Sequence, residues 1–160
     1  MCEDEVYSYS MNHAHATLHH PASLPTRREW LRPSPTEEVR AVLTRWRGLL
    51  KAQQPSAMVD LYHAQAVMLA TLTDKILLTP AQKLGYFMSL SARIGIHVTV
   101  QKEYLRMLGE DAAVLSGLYS FHFEENGAAI TIPARFSMVL ECRADVWMIV
   151  EHHSSRMPTI

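Results

Sequence analysis

Apolar residues follow a helical period in two segments of the chain, and each segment begins with a capping box. The box at Ser34 (Ser-Pro-Thr-Glu) precedes apolar residues at helical spacing and predicts a helix from about Pro35 to Ala52. The box at Thr79 (Thr-Pro-Ala-Gln) predicts another helix, which ends near Gly95. Both helices therefore carry their start signals in the sequence.

The remaining pattern is mostly that of strands. A short helix is expected to start at Pro55 and to continue through Tyr62. Beyond the second long helix the period changes from helical to alternating, and Asn126-Gly127 is a strong hairpin signal between two apolar runs. The segments with strand character are 66–71, 76–78, 96–100, 114–123, 130–142 and 147–155.

Helices that come first and long strands that follow predict an α+β domain, in which the helices pack on one face of a curved antiparallel sheet. Such a sheet forms a cone, and its mouth between the helices and the concave face is the expected pocket. The outer face needs a cover, most often a second copy of the chain, so we expect a homodimer or a larger homo-oligomer.

Composition limits the number of domains and the kinds of partner. At 160 residues, of which 48% are hydrophobic, the chain suits one domain over residues 34–160. Residues 1–33 contain four histidines but have no apolar period, which predicts a flexible arm with at most loose metal binding. The net charge of −1 and the scattered basic residues argue against a nucleic acid or an anionic membrane as partner.

The start of the chain and its hydropathy predict the compartment. The first residues are acidic where a leader peptide would be basic, and no run of about 18 apolar residues could span a membrane. We therefore expect a soluble, cytoplasmic protein without a membrane partner.

The last predicted strand ends in polar side chains of two kinds, His152, His153, Ser154 and Ser155. Simple alternation from Trp147 places His153 and Ser155 on one face of the strand and His152 and Ser154 on the other. Each face would carry one imidazole and one hydroxyl, and the sequence does not decide which pair faces the concave side.

We interpret the two histidines as hydrogen-bonding residues in preference to metal ligands. Adjacent strand residues point to opposite faces, so His152 and His153 do not readily chelate one ion; no metal or other cofactor is expected, and zinc is the alternative. The cone could instead bring Thr71 and Tyr86 to a serine of the terminal pair, since hydroxyls can orient water and a small substrate. The large aromatic residues are expected in the core: Trp46, Phe87, Tyr119, Phe121, Phe123 and Trp147.

Several segments together resemble the iota-class carbonic anhydrases: the stretches 69–75, 79–80, 85–87, 117–121 and 133–137, and the terminal His-His-Ser-Ser-Arg-Met-Pro. That family is similar to the association domain of calcium/calmodulin-dependent kinase II, a cystatin-like cone of the nuclear transport factor 2-like superfamily. The similarity covers residues 37–158 and leaves the arm unexplained.

The resemblance implies reversible hydration of carbon dioxide to bicarbonate. It implies that Thr71, Tyr86 and a serine of the terminal pair, Ser154 or Ser155, hold bicarbonate and water. His153 or His152 would then relay the proton, because imidazole has the suitable pKa. The alternative is a module of the same fold that binds a small ligand or assembles into oligomers without catalysis.

Overall fold

The structure is a computed structural model that describes residues 33–158. The predicted flexible arm therefore lies outside the described residues except for Pro33. The division of the chain into an arm and one domain from residue 34 stays a prediction.

Between residues 33 and 158, three helices precede or interrupt a set of six strands. The helices are α1 (Pro35–Lys51), α2 (Pro55–Val59) and α3 (Pro80–Ser91). The strands are β1 (Tyr62–Leu69), β2 (Ile76–Leu77), β3 (Ile94–Met107), β4 (Ala112–Glu125), β5 (Ala128–Arg143) and β6 (Val146–Arg156).

The six strands form one curved, open sheet in the order β2-β1-β6-β5-β4-β3. The four long strands make an antiparallel meander, and the hairpin between β4 and β5 turns at Asn126 and Gly127, both with positive φ. The predicted α+β class with helices on a curved sheet is confirmed. One pairing departs from the antiparallel prediction, because β1 runs parallel to β6 at the other end of the chain.

Helices α1 and α3 cover one face of the sheet, which we call the inner face; the opposite side is the outer face. Trp46 of α1 and Phe87 of α3 are buried against inner-face residues such as Tyr119. All six aromatic residues expected in the core are buried, as predicted. No helix within residues 33–158 is long and apolar enough to cross a membrane.

Two predicted boundaries near the start of the sheet are wrong. Helix α2 ends at Val59, and Tyr62 begins β1 instead of continuing the helix. Strand β1 ends at Leu69, so Thr71 lies in the turn that follows the strand and not within it. Tyr62 pairs with Ile149 on β6, a contact between residues distant in sequence that outweighs the local helical pattern.

A β-bulge in β6 reverses the predicted alternation of that strand. Leu140 pairs with Ile149 and Val139 with Glu151, so Val150 is an extra residue without a partner on β5. Trp147 and Ile149 are buried before the bulge, and His152 and Ser154 are buried after it. The prediction that Trp147 shares a face with His153 and Ser155 is therefore wrong.

The predicted capping box of α3 is present, and it matters because α3 carries Tyr86 and Phe87. The Thr79 hydroxyl accepts a hydrogen bond from the backbone amide of Gln82 at 3.2 Å, and the side-chain oxygen of Gln82 accepts one from the backbone amide of Thr79 at 2.9 Å. These bonds satisfy amides that a helix start leaves unpaired.

Replacement of Thr79 by alanine is expected to lower the free energy of unfolding by about 1 kcal/mol, because the Gln82 amide loses its acceptor. Urea denaturation measures the change. Thr44→Ala is the matched control, since Thr44 is exposed within α1. An equal loss of stability in both variants would contradict a capping role for Thr79.

Candidate functional site

A cluster of three hydroxyl groups lies where β4, β6 and the turn after β1 meet on the inner face. The Tyr119 hydroxyl donates to Ser154 Oγ at 2.6 Å, and Ser154 Oγ makes a short hydrogen bond with Thr71 Oγ1. We call Thr71, Tyr119 and Ser154 the hydroxyl cluster. Tyr119 and Ser154 are buried, whereas Thr71 is half-buried at the edge of the cluster.

The hydroxyl cluster has one more proton than its internal bonds use. Three hydroxyls carry three protons, and the two bonds within the cluster use two of them. The third proton, on Thr71 or Ser154, can be donated to a further group. The cluster can therefore bind an acceptor atom such as the oxygen of water or of a small ligand.

Tyr86 on α3 lies close to this cluster, although it is not hydrogen-bonded to it. Burial raises the pKa of Tyr119 well above its usual range, and the charge that Tyr86 would carry if ionised adds to this rise. Burial likewise raises the pKa of Tyr86, which is half-buried in the chain. Both phenols therefore remain protonated and neutral at neutral pH.

His152 lies on the same face of β6 as Ser154 and is 1% exposed. Burial, with a smaller contribution from His153, lowers its pKa to about 3. The imidazole is thus neutral at physiological pH, and a role for His152 as the proton relay would need it to accept a proton in an environment that disfavours the charge.

The other two residues of the terminal segment face the outer side. His153 is exposed, and Ser155 is half-buried with its hydroxyl 3.5 Å from the guanidinium of Arg135. The structure therefore brings Thr71, Ser154 and His152 to the inner face, with Tyr86 nearby. It does not bring His153 or Ser155 to them, and the catalytic roles of all six residues stay predictions.

Histidine chelation of zinc at the end of β6 is not supported by the geometry. His152 and His153 lie on opposite faces of the strand, so they do not share one ion. Within the described part of the chain, no three histidine, cysteine or acidic side chains converge as a metal site would require. The expectation of a metal-free protein nevertheless stays a prediction.

Three residues in or beside the site are not identified from the sequence: Tyr119 of the hydroxyl cluster, Tyr62, which is hydrogen-bonded to His152, and Trp46, which is hydrogen-bonded to Tyr62. The sequence predicts Tyr119 and Trp46 only as core aromatics and places Tyr62 in a helix. All three are buried, and each makes a polar contact through its phenol or indole group. The available signal was chemical, since a buried tyrosine or tryptophan usually needs a hydrogen-bond partner.

A separate surface depression of about 490 Å³ lies at the far end of β3, β4 and β5. Its lining includes His97 and His122, whose rings stack 4.8 Å apart, and Thr131. Burial and the neighbouring His97 lower the pKa of His122. The depression contains none of the predicted site residues, so we assign the candidate site to the inner-face cluster.

Comparison with solved structures agrees with this fold. The chain is 29% identical to a candidate calcium/calmodulin-dependent protein kinase II association domain from Xanthomonas campestris, with a TM-score of 0.73 and coverage of 81% of this chain and 95% of that one. It is 22% identical to the kinase II hub homology domain of Chlamydomonas reinhardtii, with a TM-score of 0.65 and coverage of 78% and 100%.

A third similar structure gives the fold its general name. An NTF2-like protein with a cystatin-like fold from Novosphingobium aromaticivorans is 14% identical, with a TM-score of 0.67 and coverage of 78% of this chain and 83% of that one. No curated protein matches the chain. The family model of the calcium/calmodulin-dependent protein kinase II association domain matches residues 35–158. The chain therefore belongs to the calcium/calmodulin-dependent protein kinase II association domain family.

Proposed function

We propose that this domain binds a small oxygen-bearing ligand at the hydroxyl cluster and acts as a homo-oligomeric module, a homodimer or a larger assembly. The observation that carries the ligand site is the unused proton of the buried Thr71–Ser154–Tyr119 cluster. Membership of an association-domain family, and similarity to a hub homology domain, support the assembly.

The chemistry of the site favours a ligand with hydrogen-bond acceptors. The phenols of Tyr119 and Tyr86 are held neutral by burial, and so is the imidazole of His152. A bound group would thus meet oriented dipoles and no formal charge from these residues. Buried dipoles of this kind can stabilise an oxyanion without reorganisation.

Hydration of carbon dioxide is the second candidate function, as the resemblance to iota-class carbonic anhydrases implies. The observation that favours it is the contact between Thr71 and Ser154, two residues to which the resemblance gives substrate-binding roles. In this proposal the hydroxyls orient a water molecule, whose oxygen forms a bond to the carbon of carbon dioxide. One carbon–oxygen π bond becomes a lone pair, and the water proton leaves to the solvent or buffer.

The proton must leave by a route other than His152, because this imidazole resists protonation above about pH 3. His153 faces the outer side, so it is not placed to accept the proton directly. We therefore propose that the hydroxyl cluster passes the proton outward through Thr71, its half-buried member. The rate would then depend on the concentration of the buffer.

Stopped-flow carbon dioxide hydration by the chelated protein tests the catalytic proposal, with metal content measured on the same sample and zinc added in parallel. Ser154→Ala and Tyr86→Phe together are expected to lower kcat/KM at least tenfold, since oxyanion donors contribute that much or more. Tyr104→Phe is the control, because Tyr104 is 67% exposed on β3.

Three outcomes separate the candidates. Metal-free activity that falls in the double variant supports hydration at the hydroxyl cluster, and activity only with zinc contradicts the metal-free mechanism. No activity, together with bicarbonate binding that Ser154→Ala abolishes, leaves the binding module. Light scattering during size-exclusion chromatography tests the assembly, which a monomer at micromolar concentration would contradict.

A further inference from the structure

Three buried side chains form a directed chain of hydrogen bonds that ends at His152. The indole N–H of Trp46 donates to the Tyr62 hydroxyl oxygen at 2.9 Å. The Tyr62 hydroxyl lies 2.8 Å from Nδ1 of His152. An indole nitrogen can only donate, so the Tyr62 proton is free to point at His152.

This direction favours one tautomer of the imidazole. With Nδ1 as the acceptor of the Tyr62 proton, the ring proton of the neutral histidine is on Nε2; a proton on Nδ1 would instead leave both the Tyr62 proton and the Nε2 lone pair without a partner. Such a choice of tautomer through the partner of the other ring nitrogen is common at functional histidines. On this assignment His152 carries an Nε2–H donor.

The Nε2–H group is buried and has no hydrogen-bond partner among the described residues. A buried donor without a partner costs about 1–3 kcal/mol, and native proteins rarely leave one. The group lies on the same inner face of β6 as Ser154, two residues along the strand. The donor and the Ser154 hydroxyl therefore project from the same side of β6.

Aromatic packing prevents the imidazole from turning away. The Tyr62 ring stacks on His152 with centroids 6.1 Å apart, and the edge of Trp46 meets it at 5.8 Å. Trp46 also stacks on Tyr119 of the hydroxyl cluster at 6.2 Å. The same indole thus holds the imidazole and one hydroxyl in a fixed relation.

We propose that His152 presents its Nε2–H as a fixed hydrogen-bond donor to the ligand of the hydroxyl cluster, with Tyr62 and Trp46 as positioning residues. The ligand class is then a small oxyanion with at least two acceptor oxygens, one for the imidazole and one for the free hydroxyl proton. This inference rests on the proposed function of the cluster as a ligand site. It replaces the proton-relay role of His152 with that of a neutral donor.

The tautomer is measured without any ligand. Long-range ¹H–¹⁵N spectra of histidine-labelled protein distinguish Nε2–H from Nδ1–H, and the His152 signals are those missing in His152→Gln. The wild type is expected to show Nε2–H alone. Tyr62→Phe removes the donor to Nδ1 and is expected to give a mixture of tautomers, whereas Tyr104→Phe leaves the spectrum unchanged.

The ligand contact is measured by titration with bicarbonate, with formate as a second oxyanion and guanidinium as a cationic control. The oxyanions are expected to shift the His152 Nε2 signal, and guanidinium is not. Tyr62→Phe is expected to weaken bicarbonate binding about tenfold, the equivalent of one hydrogen bond to a charged group. Circular dichroism confirms that each variant is folded before it is titrated.

An Nδ1–H tautomer in the wild type overturns the inference. The inference is also overturned if Ser154→Ala abolishes bicarbonate binding while the His152 signal does not shift and Tyr62→Phe binds bicarbonate as tightly as the wild type; the proposed ligand site then stands. If neither bicarbonate nor formate binds, the proposed ligand site is wrong, and the role of His152 as its donor is wrong as well. The tautomer spectrum still reports separately on the Trp46–Tyr62–His152 chain.

Discussion

Replacement of Gly117 by alanine is expected to lower the free energy of unfolding by about 3 kcal/mol or more. Gly117 lies on β4 and pairs with Glu103 of β3, just past the irregular pairing between Val100 and Lys102. A methyl group at this position would overlap the Lys102 carbonyl oxygen and lie 2.9 Å from a ring carbon of Phe136. Backbone atoms cannot move aside as a flexible side chain can, so the overlap strains the sheet.

Guanidinium chloride denaturation measures this change, and Gly48→Ala is the matched control. Gly48 lies in the last turns of α1, and a methyl group there would meet no atom within 4 Å. Alanine favours the helix over glycine by about 0.5–1 kcal/mol, so this variant is expected to be more stable than the wild type. Similar stabilities of the two variants would show that the close approach at Gly117 is absent.

The stability of the fold is expected to fall steeply with acid because His152 is buried in its neutral form. Its pKa is about 3 in the folded chain, against 6.5 for an ordinary histidine. Below pH 6.5 the His152 imidazole binds a proton in the unfolded chain but stays neutral in the folded chain. The free energy of unfolding therefore decreases between pH 6.5 and about pH 3, at up to about 1.4 kcal/mol per pH unit, and this contribution is constant above pH 6.5.

Urea denaturation at a series of pH values tests this linkage by comparing the wild type with His152→Gln. The variant lacks the titrating imidazole, so the difference in slope isolates His152 from the carboxylates common to both chains. His97→Gln controls for a histidine on the outer face of the sheet, and it should keep the steep slope. Equal slopes in the wild type and His152→Gln would contradict the buried neutral imidazole.

The sequence predicted the parts of this fold that depend on local chemistry. Ser34 and Thr79 are caps because their hydroxyls reach amides three residues away, and Asn126-Gly127 turns because both residues accept positive φ. The face of β6 depends instead on its pairing with β5, where Val150 is left over. No local pattern reports such a bulge, so alternation gave the wrong phase at Trp147.

The candidate site could be predicted only in part for the same reason. Thr71 and Ser154 are 83 residues apart, and their hydrogen bond exists because the parallel pairing of β1 with β6 brings the end of one strand beside the other. Tyr62 depends on that pairing too, since it reaches His152 across the two strands. The residue types at the end of β6 were visible in the sequence, but their partners were not.

The bulge at Val150 bears on the two pairs of side chains at the end of β6, His152 with Ser154 and His153 with Ser155. A strand that gains or loses one residue exchanges its two faces. In most strands such a slip would replace the chemistry of the inner face with unrelated side chains. Here the loss of one residue would replace His152 and Ser154 with His153 and Ser155, so an imidazole and a hydroxyl would still face inward. The doubling thus keeps both kinds of side chain in their positions on the inner face when one residue before His152 is lost.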